Sequence, residues 1–218
     1  MKCVLISDTH GRHSRLNLPD DIDVLIVSGD FTATRRNSKE DFIDFGYWLR
    51  RAPAKHKIFI AGNHDKYLEK NYSEAMDFIH KLNNPPIESN ISPANITYLQ
   101  DSSITIDGVK FYGSPWTPVF FDWYFMASEF NLNRLFNKIE EDTDVLITHG
   151  PAKGFLDKTH AGLHVGSESL RYRISELKKL KLHVFGHIHE SRGRFERNGV
   201  TFINASLAGL NDHYVFYI

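Results

Sequence analysis

Residues 57–66 read KIFIAGNHDK, an apolar run that stops at a carboxamide, an imidazole and a carboxylate. Ile58, Phe59 and Ile60 are the β-branched and aromatic types that fill strands, and Gly62 punctuates the chain directly after them. The same arrangement recurs at four other places. CVLIS (3–7) runs into Asp8-Thr9-His10, and DVLIVS (23–28) into Gly29-Asp30. DVLIT (144–148) runs into His149-Gly150, and LHVF (182–185) into Gly186-His187-Ile188-His189. In open α/β sheets the carboxyl ends of strands face the ligand crevice. If these five strands share an edge, two aspartates, one asparagine and several histidines converge there.

That donor set has a chemical meaning. Carboxylate and carboxamide oxygens mixed with imidazole nitrogens, without a thiolate, suit Mn²⁺, Fe or Zn²⁺. Asp8, His10, Asp30, Asn63, His149, His187 and His189 offer seven ligands, and a bridging carboxylate counts twice. Two divalent ions are therefore expected, Mn²⁺ first, with Fe, Zn²⁺, Co²⁺ or Ni²⁺ as alternatives. Any one such residue after a strand is ordinarily a turn former or a packed core group. Five strand ends carrying ligand types together are not.

The rest of the chain is consistent with an α/β protein. Strand-like runs also occur at Ile96–Leu99, Ile104–Ile106, Lys110–Tyr112, Val200–Ile203 and Tyr214–Tyr217. Continuous apolar character in DVLIVS and DVLIT predicts strands covered on both faces. Asp107-Gly108 between two runs predicts a tight hairpin, so the sheet is expected to be mixed. Ser38 before Lys39-Glu40-Asp41 reads as the cap of a helix running to Arg50-Arg51 and stopped before Pro53. Leu132, Leu135, Phe136 and Ile139 fall at helical spacing, and Ser167 is placed to cap a helix bearing Leu170, Ile174 and Leu177. The Pro/Asn-rich stretch Asn83–Asn95 is a loop that separates two halves of the sheet.

With 218 residues, 26 Lys+Arg against 27 Asp+Glu and a net charge of −1, the chain is expected to be one domain over residues 1–218. No basic stripe supports binding to long nucleic acid. No run approaches the roughly 20 apolar residues that span a bilayer, and Met1–Ile6 is too short for a signal peptide. A cytoplasmic location is the expectation. The single cysteine, Cys3, reads as a packed hydrophobe.

Taken together, SDTHGRH, GDF, GNHD, THG and GHIH resemble, in order, the five motifs of the calcineurin-like metallophosphoesterases. Longer strings such as MKCVLISDTHG, LITHGPAKGFLD and HVFGHIHE are similar to the small MPPED-like metallophosphodiesterase branch. The resemblance implies two mixed β-sheets packed as a sandwich and flanked by helices, with a dinuclear site at the carboxyl ends of the strands. It implies one ion on Asp8, His10, Asp30 and His189, and a second on Asp30, Asn63, His149 and His187, with Asp30 bridging. His64 would then meet the substrate phosphate and assist the leaving group, with Asp65 orienting it. Some members of the branch lack one histidine of the last motif, and this chain has both. The implied reaction is hydrolysis of a small phosphodiester, a nucleotide, cyclic ones included, by a hydroxide held between the metals. A phosphomonoesterase or phosphoprotein phosphatase of the same fold is the first alternative, and a nucleotide-binding module with weak turnover the second.

Substrate choice is less legible. SPWTPVFFDWYF (114–125) carries six aromatic rings, for packing, an interface or base stacking. Trp116 is the stacking candidate. Arg12, Arg35, Arg36 and Lys153 follow motif segments and are candidates for phosphate contact. His13, and His160 and His164 in THAGLHVG, are candidates for the pocket lining.

Overall fold

The computed structural model describes residues 1–33, 38–89, 91–207 and 209–218. The expected strands form two sheets. The first has the order β13-β1-β2-β3-β4, built from β1 (Lys2–Ile6), β2 (Ile22–Ser28), β3 (Ala54–Ile60), β4 (Ile96–Tyr98) and β13 (Tyr214–Tyr217). Its strands are parallel except for β13, which pairs antiparallel with β1. The second has the order β11-β12-β10-β9-β6-β5, from β5 (Ser102–Ile106), β6 (Val109–Ser114), β9 (Val145–Thr148), β10 (Leu182–Phe185), β11 (Gly193–Arg197) and β12 (Val200–Asn204). Two-residue strands β7 (Thr117–Pro118) and β8 (Met126–Ala127) pair separately.

Strand alternation sets the layers. On β1 and β2, Cys3, Leu5, Val24 and Ile26 pack against Val145, Ile147, Leu182 and Val184 of the second sheet. The residues between them, Val4, Ile6, Leu25 and Val27, pack outward under α1 (Lys39–Arg51) and α3 (Tyr72–Asn83) through Phe42, Phe45, Leu49, Ala75 and Ile79. Leu146 and Phe185 face α4 (Glu129–Phe136) and α5 (Glu168–Glu176). Both faces of the central strands are thus buried, which is why they read as unbroken apolar runs. The order is helices, sheet, sheet, helices.

Local signals explain the ends. Ser38 and Asp41 form a reciprocal capping box at the start of α1. Asp107 and Gly108 hold φ of +48° and +80° and close the β5–β6 hairpin as a type I′ turn. Two expectations are corrected. The chain changes sheets at Gln100–Asp101 rather than across 83–95, because β4 still pairs in parallel with β3. Helices α2 (Lys66–Lys70) and α3 follow the GNHD segment where no helix was expected.

Candidate metal centre

Strands β1, β2 and β3 are parallel neighbours in one sheet, and β9 and β10 in the other. Their carboxyl ends meet. The loops after β1 and β2 run side by side, with N–H groups of Asp8 and His10 donating to the carbonyls of Gly29 and Asp30 at 3.0 Å each. Gly186 N–H ties the β10 loop to the His149 carbonyl at 2.9 Å. Asp8, His10, Asp30 and His187 all hold positive φ, between 45° and 69°. Side-chain-bearing residues rarely adopt this conformation, at a cost on the order of 1–3 kcal/mol each. Here it turns carboxylates and rings off the strand axes toward one point. Gly62 and Gly186 allow the approach: a Cβ at Gly62 would overlap the Asp30 carboxylate, and one at Gly186 would overlap Asp8 Oδ2 and Ser7 Oγ.

Three groups bring ligand atoms within 4.8 Å of one another: Asp8, His10 and His189; Asp8, Asp30 and His149; and His10, Asp30 and His64. His189 Nε2 lies 3.0 Å from Asp8 Oδ1 and 3.3 Å from His10 Nε2. His149 Nε2 lies 2.9 Å from Asn63 Oδ1 and 3.4 Å from Asp30 Oδ1. His187 stands outside these groups, its ring 5.0 Å from that of His149 and its N–H donating to the Asp8 carboxylate at 3.0 Å.

His149 decides whether the site fits a cation. Its Nδ1–H donates to the Ser28 carbonyl at 2.9 Å, which fixes the tautomer. The Nε2 lone pair of the neutral ring then faces two oxygens that are themselves acceptors. A proton or a metal ion reconciles the ring with both oxygens at once. Burial opposes the charged ring, but the Asp30 carboxylate overrides it and holds the His149 pKa up at about 9. A bound metal ion would take that proton's place. Burial also disfavours charge on Asp8, yet the His189 hydrogen bond and the His149 charge keep its carboxyl ionised below the usual range. Burial pushes His187 down to about 4, leaving it neutral. The donors are oxygen and nitrogen alone, because Cys3 is buried between the sheets with its thiol pushed up by burial to about 12.

His64 sits at the lip. Its N–H donates to Asp30 Oδ1 at 2.8 Å, and its Nε2 stands 3.9 Å from Asp30 Oδ2. Its ring lies 4.3 Å from that of Trp123. The expectation that Asp65 orients this ring is corrected. Asp65 Oδ2 accepts the N–H groups of Gly62 (2.7 Å) and Asp30 (2.8 Å), and Oδ1 those of Thr32 (3.1 Å) and its hydroxyl (2.9 Å). Successive residues point apart, so the carboxylate folds back onto the loops while the imidazole faces out. His64 Nδ1 is buried without a hydrogen bond. The same Thr32 hydroxyl, which no motif reading singled out, shares its one proton with the His64 carbonyl, 2.7 Å away.

The sequence profile of the calcineurin-like phosphoesterases matches residues 1–191, which include all five strand ends. The chain belongs to this family. It is 38% identical over 220 residues to human metallophosphoesterase domain-containing protein 1, covering 95% of this chain and 66% of that protein, and equally to the mouse protein. It is 35% identical over 226 residues to a UPF0046 protein of Caenorhabditis elegans, covering 100% of this chain and 75% of that one. The chain thus spans 66% of the length of the human and mouse relatives. A solved structure shares the fold at a TM-score of 0.68 and 17% identity, over 93% of this chain and 89% of its own. The five strand ends are thus those of a calcineurin-like phosphoesterase family member, and the three ligand groups are where divalent ions would sit.

The outlying candidates sort differently. Trp116 is not at the site: its indole N–H donates to Asp101 Oδ2 at 2.8 Å and its ring packs edge-on against Phe125. Lys153 pairs with Glu168 at 2.8 Å, at the start of α5. Arg12 is exposed and forms no ion pair among the described residues. Arg35 and Arg36 lie outside the described residues. His13 is buried on Phe45 and Trp48 and bonds Asp44. His164 bonds the buried Asp157 at 2.6 Å, stapling a loop whose His160 N–H reaches Glu190, next to His189. Among the described residues, no helix is long and apolar enough to cross a membrane.

Proposed function

We propose that the chain hydrolyses a small phosphodiester, with nucleotides, cyclic ones included, as the first class to test. The observation that carries this reading is His64, an imidazole beside the Asp30 carboxylate whose ring nitrogens make no hydrogen bond among the described residues. Ions held by Asp8, His10, Asp30, Asn63, His149, His187 and His189 would supply Lewis acidity toward the phosphate oxygens and lower the pKa of water. Mn²⁺ is the first ion to try, given the oxygen and nitrogen donors.

The chain's own residues do the rest. Asp8 and Asp30 supply the negative charge that retains the ions. Asp65 and Thr32 fix the loop that carries Asn63 and His64. Expulsion of an alkoxide needs a proton, and His64 Nε2 is the group proposed to give it, a contribution typically of about 10²–10⁴-fold. Arg12 is proposed to contact the phosphate. The near-zero net charge favours a small substrate over long nucleic acid, and the single buried thiol is at home in the cytoplasm.

The test is a rate comparison. The protein is stripped with chelator, reloaded with Mn²⁺ and assayed on bis(p-nitrophenyl) phosphate and p-nitrophenyl phosphate. Preference for the diester is expected. In His64→Ala, kcat falls by about 10²–10⁴-fold while metal content holds. Preference for the monoester moves the chain to a phosphatase, and full metal loading without turnover of either ester leaves a binding module.

A further inference from the structure

Away from the metal centre, α5 and the β11–β12 hairpin enclose a groove of about 540 Å³. Small-molecule sites are of this size, roughly 300–1,000 Å³. β12 runs parallel to β10, whose carboxyl end leads into the GHIH segment. The groove reaches Leu180 and Val200, at the opposite end of both strands.

Its walls and floor differ in chemistry. Glu168, Arg171, Tyr172 and Ser175 fall at i, i+3, i+4 and i+7 and supply one face of α5. Arg197 and Asn198 line it from the hairpin, whose turn residues Asn198 and Gly199 hold φ of +52° and +78°. The floor is apolar, made by Phe155, Ile174, Leu177, Leu180 and Phe202. Phe155 stacks on Phe202 at 4.6 Å, and Phe195 backs Phe202 at 5.0 Å, so this floor is firmly packed.

The charge around the groove is one-sided. Its lining holds three cations, Arg171, Lys178 and Arg197, and one carboxylate, Glu168, which Lys153 already engages at 2.8 Å. None of the three cations forms an ion pair among the described residues. The Arg197 guanidinium lies instead over the Phe155 ring at 5.7 Å. Nearby cations outside the groove are matched: Arg173 by Glu176 at 2.8 Å, Arg194 by Glu196 at 2.9 Å and Lys181 by Asp144 at 3.1 Å. Guanidinium groups take planar anions through paired bonds, and an apolar floor weakens the screening of that attraction.

We propose that this groove binds a small amphipathic organic anion. A carboxylate or similar head meets Arg171, Arg197 and Lys178, and an apolar body lies over Phe155 and Phe202 beside the Tyr172 ring. The inference is independent of the phosphoesterase reading, since no residue of the groove belongs to the metal centre. A groove of this volume suits a small molecule rather than a protein partner, which needs about 800 Å² on each side.

Binding is read on the metal-loaded protein by the fluorescence of anilinonaphthalene sulfonate and by calorimetry with octanoate. Saturable binding of one dye per chain is expected, displaced by octanoate and about tenfold or more less effectively by octanol or acetate. In Arg171→Gln/Arg197→Gln the Kd of both probes rises about tenfold or more. Ser175→Trp, which fills the groove and keeps the cations, weakens them as well. Arg194→Gln, on the same hairpin outside the groove, leaves both as they were, and none of these variants changes ester turnover. Unchanged Kd in the double glutamine variant overturns the site. So does octanol competing as well as octanoate, which reduces the groove to an apolar patch. Adsorption to phosphatidylserine vesicles that the double variant loses, without saturable binding of either probe, also overturns it and assigns the cations to a membrane surface.

Discussion

The strand-end loops and the aromatic lobe of residues 117–127 border the same cluster but are built on opposite plans. The loops hold buried polar groups by many short bonds. Asp65 alone accepts from Gly62, Asp30 and Thr32, and Gly62 and Gly186 leave no room for a side chain. The lobe presents exposed carbon, is tied down at a few backbone points and has two residues in each of its strands. Positioning charge tolerates little displacement, because about 1 Å can cost 10²-fold in rate. Carbon packed on carbon tolerates more.

The sharpest way to break this contrast removes no ligand. In Gly186→Ala the new Cβ meets the Asp8 carboxylate, and metal content and kcat/KM should both fall, the latter by about 10²-fold or more. Full metal loading of that variant would show that the loops have slack. Asp65→Ala should next cost on the order of 3–5 kcal/mol in urea unfolding, since three buried N–H groups lose their acceptor. Were Asp65 instead tuning His64, kcat would drop at unchanged stability.

Trp116→Phe should lose about 1 kcal/mol with its Asp101 bond and leave kcat/KM intact, which would sharpen the division between Trp116 and Trp123. The effect that is smallest at neutral pH, and grows only on acidification, concerns His183 on β10, behind the loops. Its Nε2 bonds Thr148 at 2.8 Å, and burial pushes its pKa down to about 3. As pH falls below about 6.5 the unfolded chain takes up a proton that the folded ring refuses. Stability then declines by up to ~1.4 kcal/mol per pH unit from this group, down to about pH 3. His183→Leu should be less stable at pH 8 and close that gap by pH 5, measured by denaturant midpoints.

What could be read from sequence followed how local its cause was. The strands β1, β2, β9 and β10 were legible because two buried faces demand unbroken Val, Ile and Leu. Strand β11, GRFER, was not, since its arginines and glutamate suit a solvent edge. Helix α3 was missed although Ala75, Ile79 and Leu82 fall on one face, because Asn71 gives it no side-chain cap. Ligand types were legible from five repeated strand ends. The separate directions of His64 and Asp65 were not, because they depend on a backbone path that brings Asp30 and Thr32 over Asp65. Nor was the choice between Trp116 and Trp123, seven residues apart in one aromatic run and separated only by which one finds Asp101.

Asp8 and His189, in contact at 3.0 Å, are 181 positions apart in the chain. Their meeting requires both sheets to be built and joined face to face. During synthesis the first sheet's parallel strands emerge early, but the centre stays incomplete until the GHIH segment leaves the ribosome. No chain truncated before His189 can carry the full set of donors. Metal loading therefore reports on the joining of the two sheets, and a nascent fragment that ends before His189 lacks part of the donor set.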